Sequence, residues 1–281
     1  MTDKFRFLEF NTGILFISSS AVLGRYITLD STHATWWRCI LAAICLFVFQ
    51  QLLRRNIHFD WRRHGAILIL TSLMMAAHWT SYFYALDYSN VSIALMTLYT
   101  FPAFTAILEP LFWKTKMKRR DLLLAVISLI AVGIIAPPFQ ISGEVKLAVL
   151  LGLFSSILYS LRNIVITRIT PYYSGTTIMM YQMFWMTLFL TIPLFWIPMD
   201  WGQIDWPAIL ILGIITTAMG HTLFMRGLAF YKATTASLMA CSVPVYAVVL
   251  AYLIIGEVPS LRSIIGGSII FSVVVLKALE K

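Results

Sequence analysis

The chain has 281 residues, of which 60% are hydrophobic and only 12% are charged. Too few polar side chains remain to cover a water-soluble domain of this size, which argues against a soluble enzyme. The net charge of +9 does not indicate nucleic-acid binding, because the basic residues lie in small clusters between apolar stretches. Such clusters are typical of the loops of a membrane protein.

A membrane-spanning helix needs about 20 apolar residues, and the chain offers ten such stretches. The predicted fold is therefore all-α and integral to the membrane, with ten transmembrane helices. Each helix is expected to be uninterrupted, because backbone groups in lipid must bond within the helix. In chain order, the predicted spans are roughly 8–27, 34–53, 64–83, 91–113, 121–138, 146–167, 175–196, 206–229, 234–256 and 261–278.

The distribution of basic residues predicts the orientation. An even number of spans puts both termini on one side of the membrane. Most of the 21 Lys and Arg residues lie on that side, including the clusters at 54–63 and 114–120. Cytoplasmic loops carry an excess of Lys and Arg, so both termini are predicted to be cytoplasmic. The expected location is the bacterial inner membrane, which the chain would cross several times.

The two halves of the sequence repeat each other. Residues His78–Phe112 align without a gap on Gly220–Ile254, at a constant separation of 142 residues. Residues 1–140 and 141–281 are therefore predicted to form one five-helix repeat each. Because five is odd, the second repeat is expected to be inverted relative to the first. Inverted repeats around a central site are typical of transporters that work by alternating access.

Two stretches carry a family resemblance. Residues Ala94–Lys118 read ALMTLYTFPAFTAILEPLFWKTKMK, and residues Ala236–Gly266 read ASLMACSVPVYAVVLAYLIIGEVPSLRSIIG. They resemble the signature stretches of the two halves of EamA-type members of the drug/metabolite transporter superfamily. The resemblance implies ten helices around a central cavity. It also implies transport of small polar metabolites such as amino acids, often outward.

The third predicted helix concentrates aromatic side chains with polar tips. His78, Trp79 and Tyr82 lie close together, and His78 shares a helix face with Tyr82. Two interpretations stay open: these groups line the cavity, or they pack against a neighbouring helix that satisfies their polar atoms. The repeat pairs Trp79 with His221, which favours these two as equivalent inward-facing residues.

The predicted substrate site draws on both halves. Tyr99 precedes Pro102 by three residues and Met239 precedes Pro244 by five, so both are expected near the middle of the bilayer. The equivalent prolines, Pro102 and Pro244, are predicted to bend their helices, as hinges or to shape the cavity. The predicted substrate-binding residues are His78, Trp79, Tyr82, Tyr99, His221 and Met239.

Charged residues inside the spans have mainly structural interpretations. Arg162 is expected to anchor its helix at the cytoplasmic interface, with contact to an anionic substrate as the alternative. Arg226 is expected to reach the interface by snorkelling. Glu109 is expected to form an ion pair with Lys114 and Lys116, which lie close to it in sequence.

These patterns predict a carrier of small polar or amphipathic metabolites, and the resemblance implies amino-acid-like substrates and outward transport. The alternative is an integral-membrane enzyme acting on a lipid or lipid-linked substrate, but the familiar catalytic motifs are missing from the sequence. No cofactor and no metal site are predicted, because His78 and His221 lie in different repeats. The expected partners are a metabolite and the lipid bilayer, not nucleic acid. The sequence does not define an oligomeric state.

The orientation gives a direct prediction. A reporter that is active only outside the cytoplasm, fused after Lys281, is expected to show no activity. The same reporter inserted into the predicted outer loop between residues 138 and 146 is the positive control and should be active. Activity of the fusion at Lys281 would contradict the orientation and, with it, the inverted repeat.

Overall fold

The described part of the chain consists of helices and connecting turns, without a strand. The computed structural model describes residues 3–23, 26–27, 29–89, 94, 97–135, 143–199, 201–256 and 258–279. The main helices are α1 (Asp3–Leu23), α2 (Ser31–Leu52), α3 (Trp61–Asp87), α4 (Phe101–Trp113), α5 (Arg119–Ile135), α6 (Gly143–Ile166), α7 (Gly175–Leu194), α8 (Trp206–Gly227), α9 (Ala233–Ala240), α10 (Val243–Ile255) and α11 (Leu261–Ala278).

Within the described residues, six helical segments are long and apolar enough to cross a membrane. They are α2, α3, α6, α7, α8 and the combined segment Ala233–Ile255, which contains α9 and α10. Helix α4 is apolar but shorter. These lengths and compositions are those of a helical protein that crosses the membrane several times. The full set of ten spans stays a prediction.

The fourth and ninth predicted spans are not continuous helices, so this expectation is wrong. Tyr99 and Thr100 form a turn before α4, and Cys241 and Ser242 form a turn before α10. Each following helix has a proline in its first turn. Proline is well tolerated there, because the first N–H groups of a helix have no partner within it. Each proline therefore lies directly after a tight turn in its span, and the role of the two prolines as hinges stays a prediction.

The two breaks are equivalent in the repeat. Helices α4 and α10 have 13 residues each and begin 142 residues apart. The preceding residues have nearly the same backbone angles: φ −73° and ψ −13° at Thr100, φ −71° and ψ −11° at Ser242. Both helices end at a left-handed residue, Lys114 or Gly256. The repeat of the sequence is thus also a repeat of local structure.

The chain forms two compact units that differ from the sequence halves. Unit 1 contains Met1–Ala76 and Val165–Phe230, and unit 2 contains Ala77–Ile164 and Tyr231–Lys281. Each unit therefore combines helices from both halves. In unit 1, α2 packs along α7, and α1 and α2 pack along the middle of α8. In unit 2, α5 packs along α11 and α4 packs against α9.

A stripe of glycines on α8 allows close packing in unit 1. An added Cβ would meet Leu41 at Gly213, and Ile17 together with the Gly13 backbone at Gly220. At the third glycine of the stripe, Gly227, it would meet a buried aromatic ring. The spacing of seven residues thus marks a surface where backbones approach closely, as helix pairs in membranes require.

The middle of α8 is wider than an α-helix, since Leu212–His221 forms π-helical turns. The Thr217 hydroxyl donates to the Leu212 carbonyl at 2.8 Å, five residues back along the chain. Arg38 of α2 is buried and its Nε donates to the same Thr217 hydroxyl at 2.9 Å. At the end of α8, Arg226 forms a 2.8 Å ion pair with Glu9.

Glu109 is buried and serves as a cap instead of pairing with the predicted lysines. Its two carboxylate oxygens accept 2.8 Å hydrogen bonds from the backbone N–H groups of Ala233 and Thr234, at the start of α9. Helix N-termini attract negative charge, so this carboxylate joins α4 to α9. Lys277 and Asp121 join α11 to α5 through a contact of 2.6 Å.

Replacing Gly13 with alanine is expected to lower the stability of unit 1. The added Cβ would lie 2.7 Å from the Leu223 Cβ and 3.0 Å from the Gly220 carbonyl oxygen, so the helices must separate. We expect a loss of about 1–3 kcal/mol. The readout is a lower midpoint of thermal unfolding of the purified protein in detergent.

The matched control is Gly267→Ala on α11, where the nearest atoms to an added Cβ are Val245 methyl groups at 3.8 Å. This helical position has room for a methyl group, so the thermal-unfolding midpoint of Gly267→Ala should equal or exceed that of the parent. Equal midpoints for Gly13→Ala and the parent would show that α1 and α8 do not pack this closely.

Candidate functional site

The candidate site is built within unit 2, where α3 meets α6. His78 is buried, and its Nδ1 lies 2.7 Å from the Ser155 hydroxyl and 3.1 Å from the Ser155 carbonyl oxygen. Because a carbonyl oxygen only accepts, Nδ1 carries the proton. The Ser155 hydroxyl in turn donates to the His78 carbonyl at 2.9 Å. His78 thus has partners on a neighbouring helix, as the packing interpretation expects.

The same contact occurs in unit 1 in a simpler form. At the repeat separation of 142, Gly13 corresponds to Ser155 and Gly220 corresponds to His78. Gly13 and Gly220 approach each other through bare backbone, whereas Ser155 and His78 exchange hydrogen bonds. One copy of the contact therefore serves packing alone, and the other introduces polar side chains.

Helix α6 also forms hydrogen bonds with the break that precedes α4 and with the first residue of α4. The Ser156 hydroxyl lies 2.8 Å from the Thr100 hydroxyl, within the broken segment. One turn further along α6, the Ser160 hydroxyl donates to the Phe101 carbonyl at 2.9 Å. These bonds hold the end of the turn against α6. The hydrocarbon part of a bilayer has no groups that could form such hydrogen bonds.

Aromatic rings surround the break. The Tyr159 ring stacks on the His78 ring, with centroids 4.6 Å apart and an angle of 16° between planes. The rings of Phe101 and Tyr159 meet edge to face, with centroids 4.9 Å apart. The centroids of the Tyr99 and Phe101 rings are 5.9 Å apart. Tyr99 also lies within electrostatic range of Tyr82 and Tyr159. Of the predicted residues, His78 and Tyr99 therefore belong to this aromatic group.

The other predicted residues are distributed over both units. Trp79 and Met239 are buried in unit 2, with exposed fractions of 5% and 1%. His221 is buried in unit 1. Tyr82 is half-buried. A single cavity lined by residues of both repeats stays a prediction, as does the role of each residue in binding.

Arg162 is the most unexpected member of the cluster. It is only 1% exposed and is the bulkiest of the fully buried side chains. A side chain that anchors a helix at the interface keeps its charge in water, so the anchoring interpretation is wrong. Its Nη1 donates to the Asn163 side-chain oxygen at 2.9 Å, and its charge interacts with Tyr159.

Sequence reasoning missed the serines that α6 brings to this cluster. Two neighbouring stripes of this helix carry the polar groups, at intervals of three and four residues. One stripe contains Ser155, Tyr159 and Arg162, and the other contains Ser156, Ser160 and Asn163. A polar double stripe within a span of otherwise high hydropathy is a signal for a buried polar face.

These features define a class: a multi-pass helical membrane protein made of two sequence repeats, with a buried polar and aromatic cluster beside a broken helix. Comparison with known families identifies the class more closely. The model of the EamA-like transporter family matches residues 10–136 and 146–278, one copy on each repeat. The chain therefore belongs to the EamA-like transporter family, within the drug/metabolite transporter superfamily.

Comparison with solved structures agrees with this fold. One structure, described only as the crystal structure of a protein, superposes with a TM-score of 0.85 at 13% sequence identity. The match covers 98% of this chain and 96% of that chain. No curated protein matches the chain in sequence.

Proposed function

We propose that this protein is a carrier that exports small polar or amphipathic, amino-acid-like metabolites across the bacterial inner membrane. The observation that carries the proposal is the break before α4, with its polar and aromatic surroundings from α3 and α6. Broken helices in membrane transporters commonly mark the substrate site, because unpaired backbone groups and side chains there face a ligand instead of lipid.

The repeat supports a mechanism of alternating access. Two copies of a five-helix unit, inverted relative to each other, can exchange conformations and open a central site to each side in turn. The equivalent breaks before Pro102 and Pro244 are the proposed hinges, because the helix is interrupted at the same place in both copies. The proposed net direction is outward, as the resemblance to EamA-type transporters implies.

The proposed contacts combine apolar and polar recognition. Tyrosine offers a flat apolar ring and a hydroxyl that both donates and accepts a hydrogen bond. Tyr99 lies beside the break, and Tyr82 lies one turn along α3 from His78. An amphipathic metabolite fits such a surface better than an apolar one, because the buried hydroxyls would otherwise lose hydrogen bonds.

Removing the two tyrosines tests the proposal. Ligands are first identified by their stabilisation of the purified protein in a thermal-shift screen of metabolites, because binding to the folded state raises its stability. Uptake of a labelled ligand is then measured in proteoliposomes. Tyr82→Ala and Tyr99→Ala are each expected to reduce transport at least about tenfold at low substrate concentration, through loss of contact area and a hydrogen bond.

The matched control is Tyr84→Ala, on the same helix as Tyr82 but 40% exposed. It should transport at the parent rate. Expression and monodispersity should stay equal to the parent for all three variants. Transport at the parent rate by both Tyr82→Ala and Tyr99→Ala, across a range of substrate concentrations, would show that these tyrosines only pack the helices.

A further inference from the structure

Unit 1 carries a basic surface where the chain turns from α2 into α3. Residues 53–64 contain two pairs of exposed arginines, one at the end of α2 and one at the start of α3: Arg54, Arg55, Arg62 and Arg63. The one acidic residue of this segment is Asp60, whose carboxylate accepts a 3.1 Å hydrogen bond from the Arg63 N–H and so caps α3. The segment therefore presents an excess of positive charge, on the side of the membrane that is predicted to be cytoplasmic.

Aromatic side chains beside these arginines are typical of the headgroup level of a bilayer. Trp61 of α3 is 42% exposed, and Tyr172, in the turn before α7, is 56% exposed. Both side chains combine an apolar ring with a polar tip, the type that is enriched where hydrocarbon meets water. The Arg63 guanidinium carbon lies 5.3 Å from the centroid of the Tyr172 ring, which is within cation–π range. A cation is thus held beside rings that favour the membrane interface.

Two tyrosine hydroxyls hold the turn between α2 and α3 in place. The Tyr181 hydroxyl donates to the Ile57 carbonyl at 3.0 Å, and the Tyr173 hydroxyl accepts from the Asp60 N–H at 3.2 Å. Phe59 is buried, and its ring stacks on the Tyr173 ring with centroids 4.2 Å apart. The backbone that carries the arginines is therefore ordered before any ligand binds, which lowers the entropy cost of binding.

A buried histidine fixes the exposed ring of Tyr172. The His64 ring stacks on the Tyr172 ring, with centroids 4.8 Å apart and an angle of 27° between planes. His64 Nδ1 also lies 2.8 Å from the Tyr173 hydroxyl. Tyr172 thus contacts Arg63 at the surface and His64 in the interior, so the cation and the ring form part of one packed group.

We propose that this surface binds the phosphate headgroup of an anionic phospholipid, with the acyl chains beside Trp61 and Tyr172. Guanidinium groups suit this ligand, because they donate parallel hydrogen bonds to phosphate oxygens. Basic clusters directly beside a membrane helix attract anionic lipids, and the cytoplasmic leaflet carries negative charge. The bound lipid stabilises unit 1 by contacting both α3 and the turn before α7. The inference goes beyond the carrier function and does not depend on which metabolite is transported.

Lipids with different headgroups and the same acyl chains test this inference. Phosphatidylglycerol carries one negative charge, and phosphatidylcholine carries no net charge. Each is added to the purified protein in neutral detergent, and the midpoint of thermal unfolding is measured. We expect phosphatidylglycerol to raise the midpoint by at least about 3 °C more than phosphatidylcholine does, because a ligand of the folded state stabilises it.

Variants assign the effect to this surface. Replacing Arg62 and Arg63 together by glutamine is expected to remove the difference between the two lipids. Both side chains are exposed and the capping N–H of residue 63 is kept, so the pair should fold. Where it does not fold, Arg54→Gln combined with Arg55→Gln is the second test, with the same expected loss.

The matched control removes the same charge from another exposed basic segment. Lys116→Gln combined with Lys118→Gln changes unit 2, on the same predicted side of the membrane, and should keep the full difference between the lipids. An equal loss in the lysine pair and the arginine pair would show that phosphatidylglycerol responds to net charge alone, and the proposed site would be wrong.

Two further results would overturn the proposal. Equal midpoints of the parent in the two lipids would show that the headgroup charge is not recognised. An equal rise with glycerol phosphate, which has the phosphate but no acyl chains, would assign the surface to a soluble phosphate ester instead of a lipid. The expected result is a rise with phosphatidylglycerol, none with glycerol phosphate at the same concentration, and loss of the rise in the Arg62 and Arg63 pair.

Discussion

Lipid offers no hydrogen-bond partners to a polypeptide backbone, so every interruption of a membrane helix has to be satisfied by protein. The interruption at Tyr99 and Thr100 meets this requirement within its own segment, where the Thr100 N–H and hydroxyl donate to the Thr97 carbonyl, and α6 adds contacts from the side. Ser156 contacts the Thr100 hydroxyl, and Ser160 donates to the Phe101 carbonyl. The same helix carries Tyr159 and Arg162 of the candidate site. The contacts that α6 makes with the break therefore lie beside the proposed ligand site.

The two repeats keep their helix boundaries while their side chains have diverged. The bare backbone contact between Gly13 and Gly220 corresponds to the hydrogen-bonded pair of Ser155 and His78. Glu109 of the first repeat caps α9. The second repeat has Ala251 at the equivalent position, and alanine has no carboxylate to form such a cap. The two repeats thus form the same backbone contact twice. Polar side chains make the contact in unit 2 chemically different from the contact in unit 1.

The sequence predicted the features that depend on local pattern and regular spacing. Apolar stretches predicted the helices, and the separation of 142 residues predicted the repeat. Each of these depends on a single helix or on comparison of two segments. The family followed from the two signature stretches, and the family model confirms it.

The features that depend on distant partners were not predictable in this way. A proline within an apolar stretch predicts a bend, and only the turn at residues 99–100 shows that Pro102 starts a helix. Glu109 lies near lysines in sequence, yet its partners are backbone groups 124 and 125 residues away. Arg162 lies near the end of its span, where an interface anchor and a buried cation have the same sequence pattern. Packing of α6 against α3 and α4 distinguishes the two.

The central claim is that the protein carries a metabolite through a site exposed to each side of the membrane in turn. Counterflow tests this most directly: vesicles containing the protein are loaded with unlabelled ligand, then diluted into a trace of labelled ligand. A carrier exchanges the two, so label is predicted to accumulate transiently inside loaded vesicles and to be recovered chemically unchanged. Entry at the same rate in loaded, unloaded and protein-free vesicles, or recovery of an altered compound, would contradict the account.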